Sequence, residues 1–360
     1  MSPFENLGLR RVINASGKMT ALGGSAQSES VAQTLQQAAS QHVEMAELRR
    51  VAGEHIAKRC GAEAASVTSG AAAGIAIGTA AMICREKPEL TLEIPNPGTS
   101  KREILLAASH NVNFGARVEQ MIRLGGGIPV LVPDREIAAN PAQFINAKTA
   151  GLLYVQSHHT RGRELSLAGL IQVSRAHNLP LLVDAAAEED LGVYIEMGAT
   201  LVTYSGGKAM AGPTIGFLAG VADLIERCEQ QNRGIARAMK VGKEQIAAFL
   251  MALADYPTEN SESDMQSLYA ELLQLFANGP VRVEWVADRA GRPINRVGLR
   301  CDDANWLVRL NDFLAQGDPA IFARAHEVQA GLLLLDGREL KEGDVALIVE
   351  KISRYQRRSE

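Results

Sequence analysis

The sequence predicts an α/β fold, with a large domain on a mostly parallel sheet and a small α+β domain toward the C-terminus. Three observations predict it. After residue 60, short apolar runs alternate with stretches of helical spacing, the pattern of βαβ units with covered sheet faces. Beyond residue 240 that alternation gives way to strand and helix candidates of a different, mixed layout. The chain has 360 residues, 46% hydrophobic and 22% charged, enough for two domains and a large buried core.

Residues 1–30 are rich in Gly, Ser and Asn and read as an irregular arm, and 30–60 as helix. A strand at 65–68 runs through Ser69-Gly70 into a helix at 71–84. Strands are predicted at 104–108, 129–132, 151–156, 179–184, 200–204 and 215–219, with helices near 112–124 and 167–177. Residues 222–254 read as long helix and 255–264 as loop. Strands at 281–286 and 296–300 and helices near 303–315 and 344–353 complete the small domain. The predicted division is an N-terminal arm and helix at 1–45, a large domain at 46–240 and a small domain at 241–360.

Composition narrows the function. The net charge is −4 with acids and bases interspersed, so no basic field points to nucleic acid. Residues 1–11 hold no apolar core of signal-peptide length, and the apolar run 71–83 is too short to span a bilayer. A soluble, cytoplasmic protein without a membrane partner is expected. Cys60, Cys84, Cys228 and Cys301 form no CxxC pair and no metal-ligand spacing with His, so they read as reduced, buried thiols.

Three motifs carry chemistry, in a particular order. Thr68-Ser69-Gly70-Ala71-Ala72-Ala73 ends a strand and opens a helix. Small residues there let backbone N–H groups approach a phosphate, although a tight helix–sheet contact selects the same residues. In Leu181-Leu182-Val183-Asp184-Ala185-Ala186 an Asp ends an apolar strand. Ligands of open parallel sheets bind beyond such carboxyl ends, where a carboxylate can pair with a protonated pyridine nitrogen; a helix N-cap is the alternative. Ser205-Gly206-Gly207-Lys208 sets a Lys among glycines between two apolar strands, without the spacing of a nucleotide-binding phosphate loop. A shielded lysine is the side chain that forms Schiff bases. Glycine-rich helix start, strand-end Asp, then Lys one strand later is the layout of pyridoxal-phosphate (PLP) enzymes of the aspartate-aminotransferase fold, fold type I.

Further stretches sharpen this. They are Arg11-Val12-Ile13-Asn14-Ala15-Ser16-Gly17, Leu22-Gly23-Gly24-Ser25, Asp184-Ala185-Ala186-Ala187-Glu188, Arg237-Ala238-Met239-Lys240-Val241-Gly242-Lys243 and Gly317-Asp318-Pro319-Ala320-Ile321-Phe322-Ala323-Arg324. With them the chain resembles, over nearly its whole length, the selenocysteine-synthase-related branch of PLP enzymes. Ser109-His110-Asn111-Val112-Asn113-Phe114-Gly115 and Val155-Gln156-Ser157-His158-His159 look like its shorter members, which resemble D-glucosaminate-6-phosphate ammonia-lyase. The resemblance implies α,β-elimination and deamination of a small phosphorylated hydroxy amino acid. The alternatives are transfer of selenium or sulfur on seryl-tRNA, or aldol cleavage or racemisation of a small amino acid. The chain starts almost at the Ile-Asn-Ala-Ser stretch, so an N-terminal tRNA-gripping domain is not expected.

The resemblance also implies roles. Lys208 carries the cofactor as a Schiff base and then acts as base at Cα. Asp184 pairs with the pyridine nitrogen and Ala186 packs flat on the ring. Ser69, Gly70, Ala71 and Ser205 hold the phosphate. His110 stacks on the cofactor, with a helix cap or interface His as the alternative. Among Gln156, Ser157, His158 and His159, one bonds the phenolic oxygen and another, His158 or His159, serves as acid. A metal pair at the adjacent histidines is disfavoured by the lack of a nearby third ligand, so no metal is expected. Asn14 and Ser16 in the arm, Arg324 as carboxylate fork and Arg237 with Lys240 and Lys243 as phosphate receivers are substrate-binding candidates. Surface placement is the alternative for these basic residues. A homodimer or larger homo-oligomer follows from the resemblance alone.

Overall fold

The computed structural model describes residues 2–157, 160, 165–256, 262–288 and 294–359. In chain order its strands are β1 (Val12–Ala15), β2 (Ala64–Thr68), β3 (Glu103–Ala107), β4 (Ile128–Val132), β5 (Thr149–Val155) and β6 (Leu181–Asp184). They continue with β7 (Leu201–Ser205), β8 (Gly216–Gly220), β9 (Arg282–Ala287), β10 (Asn295–Arg300), β11 (Ala320–Ala323) and β12 (Leu332–Leu335). The chain divides into two compact units, residues 27–257 and residues 1–26 with 258–360.

The larger unit is built on a seven-stranded sheet of order β2-β8-β7-β6-β5-β3-β4. Every neighbouring pair is parallel except those of β8, which runs antiparallel to β2 and β7. Side chains of period two go to opposite faces. Leu181 and Val183 of β6 join a core with Ile56, Leu170 and Phe249, whereas Leu182 joins Ile75, Ile77 and Leu224 on the other face. Apolar runs without polar alternation are what two covered faces demand.

The smaller unit holds the parallel pair β1–β11 and the antiparallel sheet β12-β10-β9, around a core that includes Ile13, Leu268, Leu299, Leu310 and Ile348. Here the structure departs from the sequence reading. Residues 12–15 are a strand, because Ile13 and Ala15 have a partner strand 308 residues away in β11 and are buried. The helix Lys243–Ala254 lies in the larger unit, because Ile246, Phe249 and Leu253 fill its core.

Two long helices are shorter than the sequence suggested. Residues 30–60 form Glu29–Ala39 and Met45–Cys60, separated by residues 40–44, which are all exposed. The stretch 222–254 breaks after Ala222–Gln230. Gly234 there packs its backbone on Thr91, whose carbonyl would lie 2.4 Å from an added Cβ. The expected helix at 112–124 begins only at Val118, since Gly115 has φ +105°, outside the helical region. Conversely, a helix starts at Glu262, inside the expected loop. All four cysteines are buried and unbridged, and burial pushes the Cys60 thiol up to about 12. No helix among the described residues is long and apolar enough to cross a membrane.

Candidate active site

The register gathers the motif residues at one edge of the large sheet. Val155 lies opposite Asp184, Asp184 opposite Thr203, Ser205 opposite Gly216 and Thr68 opposite Gly216. The carboxyl ends of β2, β5, β6 and β7 therefore finish side by side. The loops after them carry Ser69 and Gly70, Gln156 and Ser157, Ala186, and Lys208. The Gln156 N–H donates to the Asp184 carbonyl at 2.8 Å and the Ser205 N–H to the Ala186 carbonyl at 3.4 Å, which ties neighbouring loops together.

Asp184 is buried, with one carboxylate oxygen accepting the Ala186 N–H at 3.1 Å. Burial pushes its carboxyl up to about 6, against the opposing pull of the Lys208 charge and the Ala186 hydrogen bond. A carboxylate with raised proton affinity in a dry site is poised to take a cationic N–H partner.

Lys208 sits half-buried on the β7–β8 loop. That loop rests on a fixed floor. The Gly206 N–H bonds the Ile215 carbonyl at 2.8 Å and the Gly212 N–H bonds the Gly206 carbonyl at 2.8 Å. A Cβ at Gly206 would lie 2.6 Å from Ile215 and 2.8 Å from the Phe249 ring, so only glycine fits against that floor. The Phe114 ring faces the Lys208 ammonium, with 5.9 Å from Nζ to the ring centroid.

The helix Ala71–Ile83 starts at this edge with no side-chain cap and no acidic residue in its first turn. An added Cβ at Gly70 would meet nothing within 4 Å, so its backbone faces open space. At Gly74 the same addition would fall 2.0 Å from Thr203 Oγ1. Small residues thus dock the helix on β7, and no side chain caps its first N–H groups, the setting in which helix starts accept anions. Pyridoxal phosphate fits this donor set. The ring nitrogen matches buried Asp184, the aldehyde matches Lys208, and the phosphate matches the uncapped helix start beside Ser69, Gly70 and Ala71. Ser205, at the end of β7, borders the same edge.

Other predicted residues are placed differently. His110 is wholly buried, its Nδ1 accepting the Val155 N–H at 3.1 Å and its ring edge-on to Tyr154 at 4.5 Å. No face of it is open for stacking in this structure. Gln156 is half-buried and Ser157 buried, and His158 and His159 lie outside the described residues. Arg237 is exposed on a 3-10 turn, Lys240 ends that turn, and Lys243 opens the next helix. The three therefore do not share one helix, as the long helix expected at 222–254 would have required. Lys243 Nζ instead donates to the Ala38 and Ala39 carbonyls at 2.9 and 2.8 Å, capping a helix end.

In the smaller unit, Asn14 and Ser16 spend polar groups on their own turn. Asn14 Oδ1 accepts the Ser16 N–H and Oγ–H, both at 3.0 Å, and Nδ2 donates to the Gly17 carbonyl at 2.9 Å. Arg324, half-buried, follows β11 next to this turn and bonds Leu334 through its backbone. Beneath the turn lies an ion network that the sequence reading missed. Buried Asp336 accepts from Arg296 Nε at 2.8 Å and from Arg338 Nε and Nη2 at 2.9 and 2.8 Å, while Arg296 Nη1 reaches Asp288 at 2.8 Å. Also missed was buried Thr160, whose hydroxyl bonds the Val155 and Ser157 carbonyls at 2.8 and 2.9 Å and accepts the Ser157 N–H at 3.1 Å. A residue after two histidines offers no sequence signal for that role. Among the described residues no group of three His, Cys, Asp or Glu side chains is placed to hold a metal ion.

Comparison with known proteins places this site in a family. Residues 142–298 match the family model described as SelA, L-seryl-tRNA selenium transferase. D-glucosaminate-6-phosphate ammonia lyase of Salmonella typhimurium is 39% identical, covering 97% of this chain and 96% of that one. The chain belongs to this ammonia lyase family. A solved structure of D-glucosaminate-6-phosphate ammonia-lyase superposes with TM-score 0.91 at 38% identity, covering 99% of both chains. The 5'-C-glycyluridine monooxygenase-decarboxylase of a Streptomyces species is also similar, at 34% identity over 97% of this chain and 90% of that one. A serine palmitoyltransferase from S. paucimobilis with bound PLP-myriocin aldimine matches at TM-score 0.58 and 12% identity, covering 96% and 87%. That likeness shows the fold alone, which is fold type I, as the ordered motifs predicted.

Proposed function

We propose that this chain is a PLP-dependent ammonia-lyase that converts D-glucosaminate 6-phosphate to 2-keto-3-deoxygluconate 6-phosphate and ammonia. The observation that carries the cofactor assignment is the buried Asp184, charge-coupled to Lys208, beside an uncapped helix start. The substrate assignment is supported by whole-length similarity to the Salmonella enzyme.

When bound, PLP supplies an electron sink for the charge left at the substrate Cα. Asp184 accepts the hydrogen bond of the ring nitrogen and keeps that nitrogen protonated. The N–H groups at 70–73 and the Ser69 and Ser205 hydroxyls hold the phosphate, and Ala186 keeps the ring's face free of branching side chains. Lys208 Nζ would hold the cofactor's aldehyde carbon, and the same amine, once released, would accept the proton from the substrate Cα. His158 or His159 donates a proton to the departing β-hydroxyl. One water leaves and one returns in hydrolysis, so the net products are the keto acid and ammonia. Arg324, Asn14 and Ser16 are kept as proposed substrate-binding residues, with the Arg324 fork suited to a carboxylate. We assign the chain to a homodimer or larger ring in the cytoplasm.

The test is to record the absorbance of purified enzyme, add D-glucosaminate 6-phosphate, and assay ammonia, keto acid and dissolved oxygen. A visible band lost on borohydride reduction, with both products formed and no oxygen consumed, is expected. Oxygen uptake with carbon dioxide release would favour the chemistry named for the Streptomyces relative. The band without any product would refute the substrate, and no band in PLP-supplemented protein would refute the cofactor assignment.

A further inference from the structure

The loop between β3 and the helix Val118–Leu124 carries an aromatic ring that has no part in the proposed chemistry. Phe114 is 59% exposed, yet its ring centroid is 5.9 Å from Lys208 Nζ. Single exposed apolar residues are ordinary on protein surfaces. This one differs in facing the amine of the candidate site, within cation–π range. The loop that presents it is also built rather than loose. Asn113 Oδ1 accepts the Gly115 N–H at 3.1 Å, Asn113 bridges to Arg117, and Asn111 Oδ1 accepts the Glu119 N–H at 3.0 Å. Gly115, at φ +105°, makes the turn that an L residue would resist. His110, the ring expected beside the cofactor, is turned inward and fully buried. Phe114 is the aromatic that this loop does offer to Lys208.

We propose that Phe114 is a positioning residue for Lys208, holding its ammonium against the ring face and keeping bulk water off it. The role of Lys208 as the reacting amine rests on the proposed function; the contact itself does not. Removing the ring withdraws both the electrostatic hold and the cover, so the Lys208 amine becomes more reactive and less well placed.

The experiment uses cofactor-free full-length protein. Lys208 is acylated by a water-soluble succinimidyl acetate at fixed pH and followed by peptide mass spectrometry, with exposed Lys240 as internal reference. Phe114→Ala is expected to raise the Lys208 rate relative to Lys240 by roughly 2- to 5-fold. Phe114→Leu keeps cover without a ring and should give a smaller rise, whereas Phe114→Tyr should restore the parent rate. In PLP-loaded enzyme the same series should lower kcat more than it changes KM, with Tyr rescuing. An Ala variant with Lys208 acylation and kcat equal to the parent's would overturn the proposal, as would Leu and Ala indistinguishable from Tyr. Absence of the visible band in the parent would instead refute the cofactor assignment, while the acylation ratio still decides the Phe114 contact. Because Phe114 is largely exposed, none of these variants is expected to unfold the chain.

Discussion

Gly74 tests how the helix start is docked on the sheet. Alanine in an open helix interior is more stable than glycine by roughly 0.5–1 kcal/mol, so a helix-propensity argument predicts that Gly74→Ala stabilises. The structure predicts the opposite. The added Cβ would stand 2.0 Å from Thr203 Oγ1 and 2.9 Å from Thr203 Cβ. Rotating the hydroxyl away relieves only the first contact and breaks the Thr203 bond to the Phe217 carbonyl at 3.1 Å. The helix must move off β7, at an overpacking cost of about 1–3 kcal/mol. The net expectation is about 1–2 kcal/mol of destabilisation. Thr203→Gly removes both contacting atoms, so adding Gly74→Ala to it should cost little, giving a coupling of about 1 kcal/mol or more. Urea unfolding of the cofactor-free protein, followed by circular dichroism, measures all four corners of the cycle. On the proposal that the helix start holds the cofactor phosphate, PLP should also bind more weakly to the single variant. Additive effects, or stabilisation by Gly74→Ala, would refute the docking argument.

Asp184 gives a pH prediction. Its folded carboxyl is raised to about 6 from 3.8, so its contribution is present below pH 4 and lost as pH rises through 6, about 3 kcal/mol in all. Cofactor-free Asp184→Asn should therefore be more stable than the parent at pH 8, with the gap closing toward pH 4 in denaturant titrations. Thr160→Val keeps shape but strips the Ser157 N–H of its buried acceptor, costing about 1–3 kcal/mol; kcat should fall with circular dichroism unchanged. In Asp336, burial pushes the carboxyl up, but the hydrogen bonds and charges of Arg338 and Arg296 hold it net below its ordinary range. Its stabilisation is therefore present above the ordinary Asp range and lost in acid. Asp336→Asn leaves the buried Arg296 and the half-buried Arg338 under-compensated and should cost about 3–5 kcal/mol in thermal or denaturant melts.

What the sequence disclosed follows from how local each signal is. Apolar runs such as Leu181-Leu182-Val183 mark strands because burial on both faces is written into consecutive residues. Ser69-Gly70, Asp184 and Lys208 were legible because each sits directly after such a run. Features that depend on distant partners were not. Val12–Ala15 reads as arm until Ala320–Ala323 is known to lie beside it. Asp336 reads as a loop acid until Arg296 arrives from another strand. The Arg237–Lys243 stretch has helical spacing, but Gly234 and Gly242 break it around tertiary contacts. The antiparallel course of β8 is invisible in its composition, which matches that of its parallel neighbours.

The same separation bears on how one family holds both a named ammonia lyase and a named monooxygenase-decarboxylase. Asp184, Lys208 and the start of the helix at Ala71 are fixed by backbone register and by glycines packed against β7, β8 and Phe249. Such a base binds a cofactor and stores charge from Cα whatever leaves afterwards. The fate of that charge depends on which acid reaches the β-carbon and whether oxygen or water reaches the ring. On the proposed function those tasks fall to loops, among them 109–117 with Phe114 and the chain just after β5, where Thr160 bonds the Val155 and Ser157 carbonyls. Substitutions in these two loops should therefore change the product ratio, keto acid and ammonia against oxygen consumed, while leaving the cofactor's absorbance intact. Substitutions at Asp184 or Gly74 should weaken cofactor binding and all turnover together.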